Sequence, residues 1–506
     1  MSRVRGNIPS GQPLDGGTAP QAILQAGSPE SVETVSSGVV HLSGTLRPVV
    51  WLVVPVLVEQ LLALSVGFTD KWLAGNLLEG PEFLAAVGLV AYCLGFLPVL
   101  FAIPSIAVTA LVARSVGAGD MPAARRVAAQ AFLVGALLVA LLLTLSGIVG
   151  ESFVRVLGLP PASAGLALRY LSIVLPALPA IMIIHVGVSV LRGAGDMLAG
   201  LLAMSVVNLI NAAASFALAT GCGGLPCLGW EGLAWGTLAG YGCGAICVIG
   251  LLARTGHGLR PSQADWRPHP AWLRRIWHVG VPAGVDCVGN AACHLGFLSI
   301  VNRLGNIDAA AHSLAITIES VAFLPGSAFQ VAAATLAGQF LGARDEKRAR
   351  DSVWLAAMAC MGLMSILGFV LFSVADPLAA WFVGGASREP EVARLTAQLV
   401  RVVAFAQPPL ALLMVFSGGL RGGGATRLPL AVNFLGLLLI RLPLAMFLAW
   451  PQVPIPDVWF FGPTIVIPGM GLGAVGAWYA MAADLAARGL AMLIIFKQKH
   501  WSRVAV

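Results

Sequence analysis

Charge is what this sequence has least of. Asp, Glu, Lys and Arg make up 10% of its 506 residues, against 58% for hydrophobic types; a soluble chain carries about 25% charged residues. The shortage excludes an ordinary water-soluble domain and reads as a polytopic membrane protein. Other absences narrow the class further. The eight cysteines show no metal-ligand spacing and no disulfide framework; only Cys222 and Cys227, in "GCGGLPCLG", are close enough for a bridge to be open as a question. The Gly-rich "LRGAGD" and "LRGGGAT" lack the lysine and Ser/Thr of a phosphate loop. No H-E-x-x-H or exposed nucleophile is present, so we expect no enzyme, no catalytic residue, no metal and no organic cofactor. No basic, aromatic-interleaved patch points to nucleic acid. The net charge of +7 is the loop asymmetry of a membrane protein. Residues 1–45 lack an apolar core and read as a disordered tail. They lack the charged start, short apolar stretch and cleavage site of a signal peptide.

What is present is a series of long apolar runs. A helix needs about 20 apolar residues to cross the hydrocarbon. Twelve such runs lie near 48–70, 84–112, 123–150, 164–190, 198–220, 230–253, 272–301, 309–341, 351–374, 394–420, 426–450 and 470–496. Lys and Arg concentrate in the N-terminus, the even-to-odd connections and the C-terminus. The opposite side holds only Lys71, Arg155, Arg303, Arg388 and Arg394. The positive-inside rule therefore places both termini in the cytoplasm of a multi-pass protein of the cytoplasmic membrane.

The chain repeats itself. "VVPVLVEQ" in the first run matches "HVGVPAGVDC" in the seventh, and each places an acid four residues after its proline, Glu59 and Asp286. "GFLPVLFAIPSIAVTALVARSVGAGD" matches "AFLPGSAFQVAAATLAGQFLGARD"; both begin F-L-P and end G-A-x-D. "PAIMIIHVGVSVLRGAGD" matches "PPLALLMVFSGGLRGGGA", aligning Arg192 with Arg421. We divide the chain into a tail (1–45), a first six-helix half (46–253), a cytoplasmic linker (254–271) and a second half (272–506). Two parallel halves of six spans are the design of many secondary transporters, with substrate held between them.

The motifs "FTDKWLAG…LAAVGL", "LRGAGD", "GWEGLAWGT", "GVPAGVD", "IESVAFLPGSAFQVAAATLAGQFLGA" and "LRGGGATRLP", in this order and duplicated, resemble the multidrug and toxic compound extrusion (MATE) transporters over roughly residues 48–496. The resemblance implies an all-α, V-shaped bundle of twelve transmembrane helices in two pseudo-symmetric halves. It also implies export of organic, often cationic compounds by alternating access, coupled to entry of H⁺ or Na⁺. We expect H⁺ rather than Na⁺, small organic cations as substrates, membrane lipids as surroundings and a monomer. The alternative is a flippase of lipid-linked intermediates, which shares the helix arrangement but would want a cationic cavity for pyrophosphate.

Coupling needs a group that takes a cation on one side and releases it on the other, and carboxylates at membrane depth are the candidates. The resemblance assigns Asp70, followed by Gly75, to the first-half cation site. Pairing with Lys71 is the plainer alternative. Glu59 lies 11 residues before Asp70, three turns along on nearly the same helix face. In "SVVNLINAAASF", Asn208, Asn211 and Ser215 share a face, and Thr237 matches an oxygen-ligand position of the family. Ser215 stands where the family often has aspartate, so the site has one carboxylate where two would suit Na⁺. The second half offers Asp286, Asn290 and Glu319, with His312 and Gln330 on the Glu319 face. Arg441, mid-span in "LLLIRLPLA", needs a partner among Asp286, Glu319 and Asp484. The lone intramembrane histidines, His185 and His294, read as packing residues.

Overall fold

The computed structural model describes residues 46–77, 90, 94, 99–156, 161–254, 259–383, 389–455, 465–498 and 501. The tail expected over 1–45, the "LAAVGL" motif and the start of the second run lie outside the described residues.

Hydropathy sets the elements. Among the described residues, 11 helices are long and apolar enough to cross a membrane, and a shorter apolar helix, Ala102–Gly117, occupies the second run. The first half contains α1 (Leu46–Leu77), α2 (Ala102–Gly117), α3 (Met121–Val156), α4 (Pro161–Val174), α5 (Leu178–Ala194), α6 (Leu198–Thr220) and α7 (Trp230–Arg254). Helices α4 and α5 share the fourth run, joined by a 3₁₀ turn at Leu175–Ala177. Pro176 and Pro179 remove two backbone donors there, and the ladder tightens around them.

The second half contains α8 (Pro270–Asn302), α9 (Asn306–Gly342), α10 (Glu346–Ser373), α11 (Ala375–Val383), α12 (Pro390–Gly422), α13 (Arg427–Leu435), α14 (Leu442–Ala449) and α15 (Gly473–Lys497). A π-helical turn, Gly436–Arg441, joins α13 to α14. Such wide turns inside α-helices concentrate at functional sites. The connection after α14 carries an antiparallel hairpin, β1 (Gln452–Ile455) on β2 (Ile465–Pro468), with Val453 opposite Ile467.

The G-A-x-D repeats are turns with one mechanism. The third residue takes the left-handed conformation: Gly119 at φ 74° and Arg344 at φ 62°. The aspartate then caps the next helix. Asp120 Oδ1 accepts the Ala123 N–H at 2.9 Å and Asp345 Oδ1 the Arg348 N–H at 2.8 Å, satisfying donors that a helix start leaves open. Among the described residues Arg344 is the only non-glycine with positive φ.

The two halves meet at the end that bears these turns. There α2 and α9 approach closely: a Cβ on Gly117 would lie 2.0 Å from the Gln339 carbonyl oxygen, and one on Gly342 2.1 Å from that of Arg114. The first helix of each half also starts in the other half's core. Val49, Leu52, Val53 and Val56 of α1 are buried among second-half residues, and Ile276 and Val279 of α8 among first-half residues.

The linker is docked, not free. Gln130 on α3, almost wholly buried, donates through Nε2 to the carbonyls of Asp265 and Arg267, each at 2.9 Å, and accepts the His269 N–H at 3.0 Å. Ser262 and Asp265 form a capping box on the short turn between them. Cys222 and Cys227 are both free, exposed thiols, and the Cys227 Sγ–H donates to the Ala219 carbonyl.

Candidate cation and substrate sites

Helices α6 and α7 pack backbone to backbone because α7 presents glycine at every fourth position, 232, 236, 240 and 244. A Cβ on Gly236 would lie 2.1 Å from Ser215 Oγ. This close pairing brings the polar residues of both helices onto Asp70 of α1. Asp70 is 5% exposed, Asn211 1%, Ser215 0% and Thr237 1%. Asn211 Nδ2 donates to Asp70 Oδ1 at 3.2 Å and Thr237 Oγ1 to Asp70 Oδ2 at 3.1 Å. Asn211 Nδ2 also lies 3.4 Å from Ser215 Oγ and 3.2 Å from Thr237 Oγ1. The Asn211 Oδ1 is buried without a hydrogen-bond partner. Two tyrosines, Tyr170 and Tyr241, stand within electrostatic reach of the carboxylate. Asp70 makes no ion pair among the described residues; the Lys71 side chain lies outside them. Four of the expected residues therefore form one buried cluster: one carboxylate, held only by neutral groups.

Asn208 does not join it. Its Nδ2 donates to the Leu62 and Met204 carbonyls at 2.9 and 2.8 Å, so it ties α6 to α1. Glu59 is not free either. Arg192 Nη2 lies 2.6 Å from Glu59 Oε2, and the carboxylate rests on Gly200, where a Cβ would lie 2.2 Å from Oε2. In the second half Arg421 Nη2 lies 2.5 Å from Asp286 Oδ2. The residues that match in sequence, Glu59 with Asp286 and Arg192 with Arg421, thus form matching ion pairs.

The second half also contains a cavity of 530 Å³, lined by residues including Asp286, Asn290, Glu319, Gln330 and Arg441. A continuous polar chain runs along its wall. Arg441 Nε donates to Asp484 Oδ2 at 2.9 Å, and Arg488 donates to Asp484 through Nε at 2.9 Å and Nη2 at 2.6 Å. Arg488 Nη1 donates to Asn433 Oδ1 at 3.2 Å, and Asn433 Nδ2 reaches both Asp286 oxygens, at 2.9 and 3.0 Å. Of the three partners expected for Arg441, Asp484 is the one that binds it. His312 packs against Phe297 and accepts the Trp478 Nε1–H at 3.1 Å. His185 stacks on Phe101. Sequence reasoning missed Arg488 and Asn433. Arg488 in "AARGL" was a usable signal, a second arginine inside an apolar run. Among the described residues no group of three or more His, Cys, Asp or Glu is placed to hold a metal ion.

This architecture is shared. A crystal structure titled MATE in complex with MaL6 superposes with a TM-score of 0.78 at 20% identity, covering 90% of this chain and 96% of that one. The Vibrio cholerae MATE transporter VcmN in the bent form gives 0.78 at 20% identity, covering 89% and 96%. These likenesses concern the fold. Among curated sequences, a protein of Thermotoga maritima named probable multidrug resistance protein NorM is 25% identical over 91% of this chain and 94% of its own length. One of the same name from Bradyrhizobium diazoefficiens is 29% identical over 87% and 90%. Multidrug resistance protein PmpM of Pseudomonas aeruginosa is 26% identical over 88% and 92%. The MatE family profile matches residues 55–217 and again 282–447. Those two matches fall on the two halves that the repeats mark out, and together they cover most of the membrane-embedded chain: it belongs to the MatE family.

Proposed function

We propose that this protein is a proton-coupled antiporter in the cytoplasmic membrane, with both termini inside, that exports small organic compounds bearing a cationic centre. Membership of the MatE family and the multidrug-resistance names of the relatives support export of organic compounds. Transport, not an enzymatic reaction, is the activity of such a chain.

One observation carries the assignment of the coupling group. Of the acids expected to couple, Glu59 and Asp286 are each neutralised by an arginine and Glu319 shares its cavity with Arg441, which acts on it electrostatically, whereas Asp70 is surrounded by neutral donors. A carboxylate at this depth without a counter-charge is completed by a bound cation. A proton needs no more than the Asp70 oxygens. Sodium would want several oxygens around it, yet Asn211 turns its Nδ2 to the carboxylate and Ser215 supplies a hydroxyl in place of a second acid. In the proposed cycle Asp70 is protonated from outside as substrate leaves outward, and releases the proton inward after closure.

The second-half cavity bears on the flippase alternative. Its arginines, Arg421, Arg441 and Arg488, are matched by Asp286, Asp484 and Glu319. A pyrophosphate site would want an excess of positive charge, so this balance supports export of organic compounds. The test is accumulation of a fluorescent organic cation in everted vesicles, driven separately by a proton and a Na⁺ gradient. Accumulation with the proton gradient alone is expected; dependence on Na⁺ would overturn the proton assignment.

A further inference from the structure

The cavity in the second half has two charged ends left over. Its volume, 530 Å³, suits a drug-sized organic molecule. Most of its polar wall is spent internally, in the chain from Arg441 through Asp484, Arg488 and Asn433 to Asp286 and Arg421. Glu319 of α9 stands apart from that chain. It lines the cavity and makes no hydrogen bond among the described residues. Arg441 spends only its Nε, on Asp484. Its two terminal nitrogens make no hydrogen bond among the described residues, yet they are not among the buried atoms closed off from the cavity. Glu319 and Arg441 act on each other electrostatically across this space, but they are too far apart to form an ion pair.

The cavity therefore presents an unspent carboxylate and an unspent guanidinium edge to the same volume. Between them Phe323, Leu410, Met414 and Met481 supply apolar wall. Charge decides what fits. The lining holds two acids, Asp286 and Glu319, and three arginines, and the buried Asp484 behind it, bound to Arg441 and Arg488, balances the set, so a guest with net charge would leave an uncompensated charge in a site of low dielectric. A guest that is neutral overall but dipolar satisfies both ends. The planar guanidinium edge matches a carboxylate, and Glu319 matches an ammonium or iminium centre.

We propose that this second-half cavity binds zwitterionic organic compounds, with Arg441 taking the carboxylate of the guest and Glu319 its cationic centre. The proposal rests on the reading of the chain as an exporter of small organic compounds, but not on the role of Asp70.

The test is equilibrium binding to the full-length protein in lipid nanodiscs, without any gradient, followed by fluorescence polarisation. The probes are rhodamine 110, a zwitterion at neutral pH, and rhodamine 123, its methyl ester and a cation. They share one fluorophore and differ at the carboxyl group. The wild type is expected to bind the acid at least about tenfold more tightly than the ester, the size of one charge-assisted hydrogen bond. Arg441→Gln should bring that ratio to about one while ester binding persists, which also reports that the variant is folded. Glu319→Gln should weaken both dyes about tenfold and keep the ratio. It breaks no hydrogen bond among the described residues, so it decides the matter even where Arg441→Gln fails to fold. Asp70→Asn should leave the ratio unchanged, which separates this site from coupling. A wild type that fails to prefer the acid, or a Glu319→Gln variant that binds both dyes as before, would overturn the proposal.

Discussion

Arg192 closes on Glu59 at 2.6 Å, and 2.5 Å separates their sequence counterparts, Arg421 and Asp286. In each half the first helix is thus bound to the end of the helix that carries L-R-G. The same first helices begin in the opposite half's core. A buried pair of this kind is costly to break on one side only, because the remaining charge is left without a partner. Glu59→Gln and Arg192→Gln should each lower stability in detergent by about 2–4 kcal/mol, and the double variant should cost less than their sum. Thermal unfolding of the four-member cycle measures this coupling; additive effects would show that the pair contributes nothing of its own.

The packing of α6 on α7 makes a sharper prediction. A methyl group at position 236 would sit 2.1 Å from Ser215 Oγ and 2.5 Å from Ser215 N. No flexible side-chain tip is available to yield, so the helices must separate and the Asp70 cluster with them. Gly236→Ala should abolish transport and lower thermal stability, whereas Gly242→Ala, which meets nothing within 4 Å, should do neither.

Arg344 holds the left-handed conformation that Gly119 holds in the first half. A side chain in that region costs about 1 kcal/mol or more, which glycine avoids. Arg344→Gly should therefore raise stability by about 0.5–1 kcal/mol without changing transport. A loss of stability would contradict the turn mechanism.

The docked linker should respond to acid. Burial by itself would push the Asp265 carboxyl up, but hydrogen bonds from Ser262 and the charges of Arg125 and Arg126 outweigh it and hold it below the ordinary value. A group whose value is depressed on folding contributes stability above its unfolded pKa and loses it as pH falls through the folded one. Hydrogen exchange of residues 259–269, corrected for intrinsic rates, should stay slow from neutral pH downward and rise only below about pH 4. Asp265→Asn should show raised exchange at neutral pH. Gln130→Ala should raise it further, since three backbone groups lose their partner.

Hydropathy made the spans legible, because each crossing needs a run of apolar residues whatever it packs against. The repeat was legible as well, and it pointed to Glu59, Arg192, Asp286 and Arg421 as equivalent positions. That these four pair was not legible: the partners lie 133 and 135 residues apart, and only helix packing brings them together. Asn208 shows the limit of helix-face arguments. It lies three residues before Asn211, and that rotation is enough to send its amide to the Leu62 carbonyl instead of Asp70. The π turn that aims Arg441 has no signature in an apolar run such as "GLLLIR". The β1–β2 hairpin was hidden because its strands are short and rich in proline.

The central claim, that Asp70 carries the coupling proton, is tested most directly in proteoliposomes holding a pH-sensitive dye. An outward-directed substrate gradient should drive protons into the lumen through the wild-type protein. Asp70→Asn should bind substrate and exchange it passively, yet move no protons. Proton movement by Asp70→Asn at the wild-type rate would contradict the account and transfer the coupling role to another acid, with Glu319 the first to be examined.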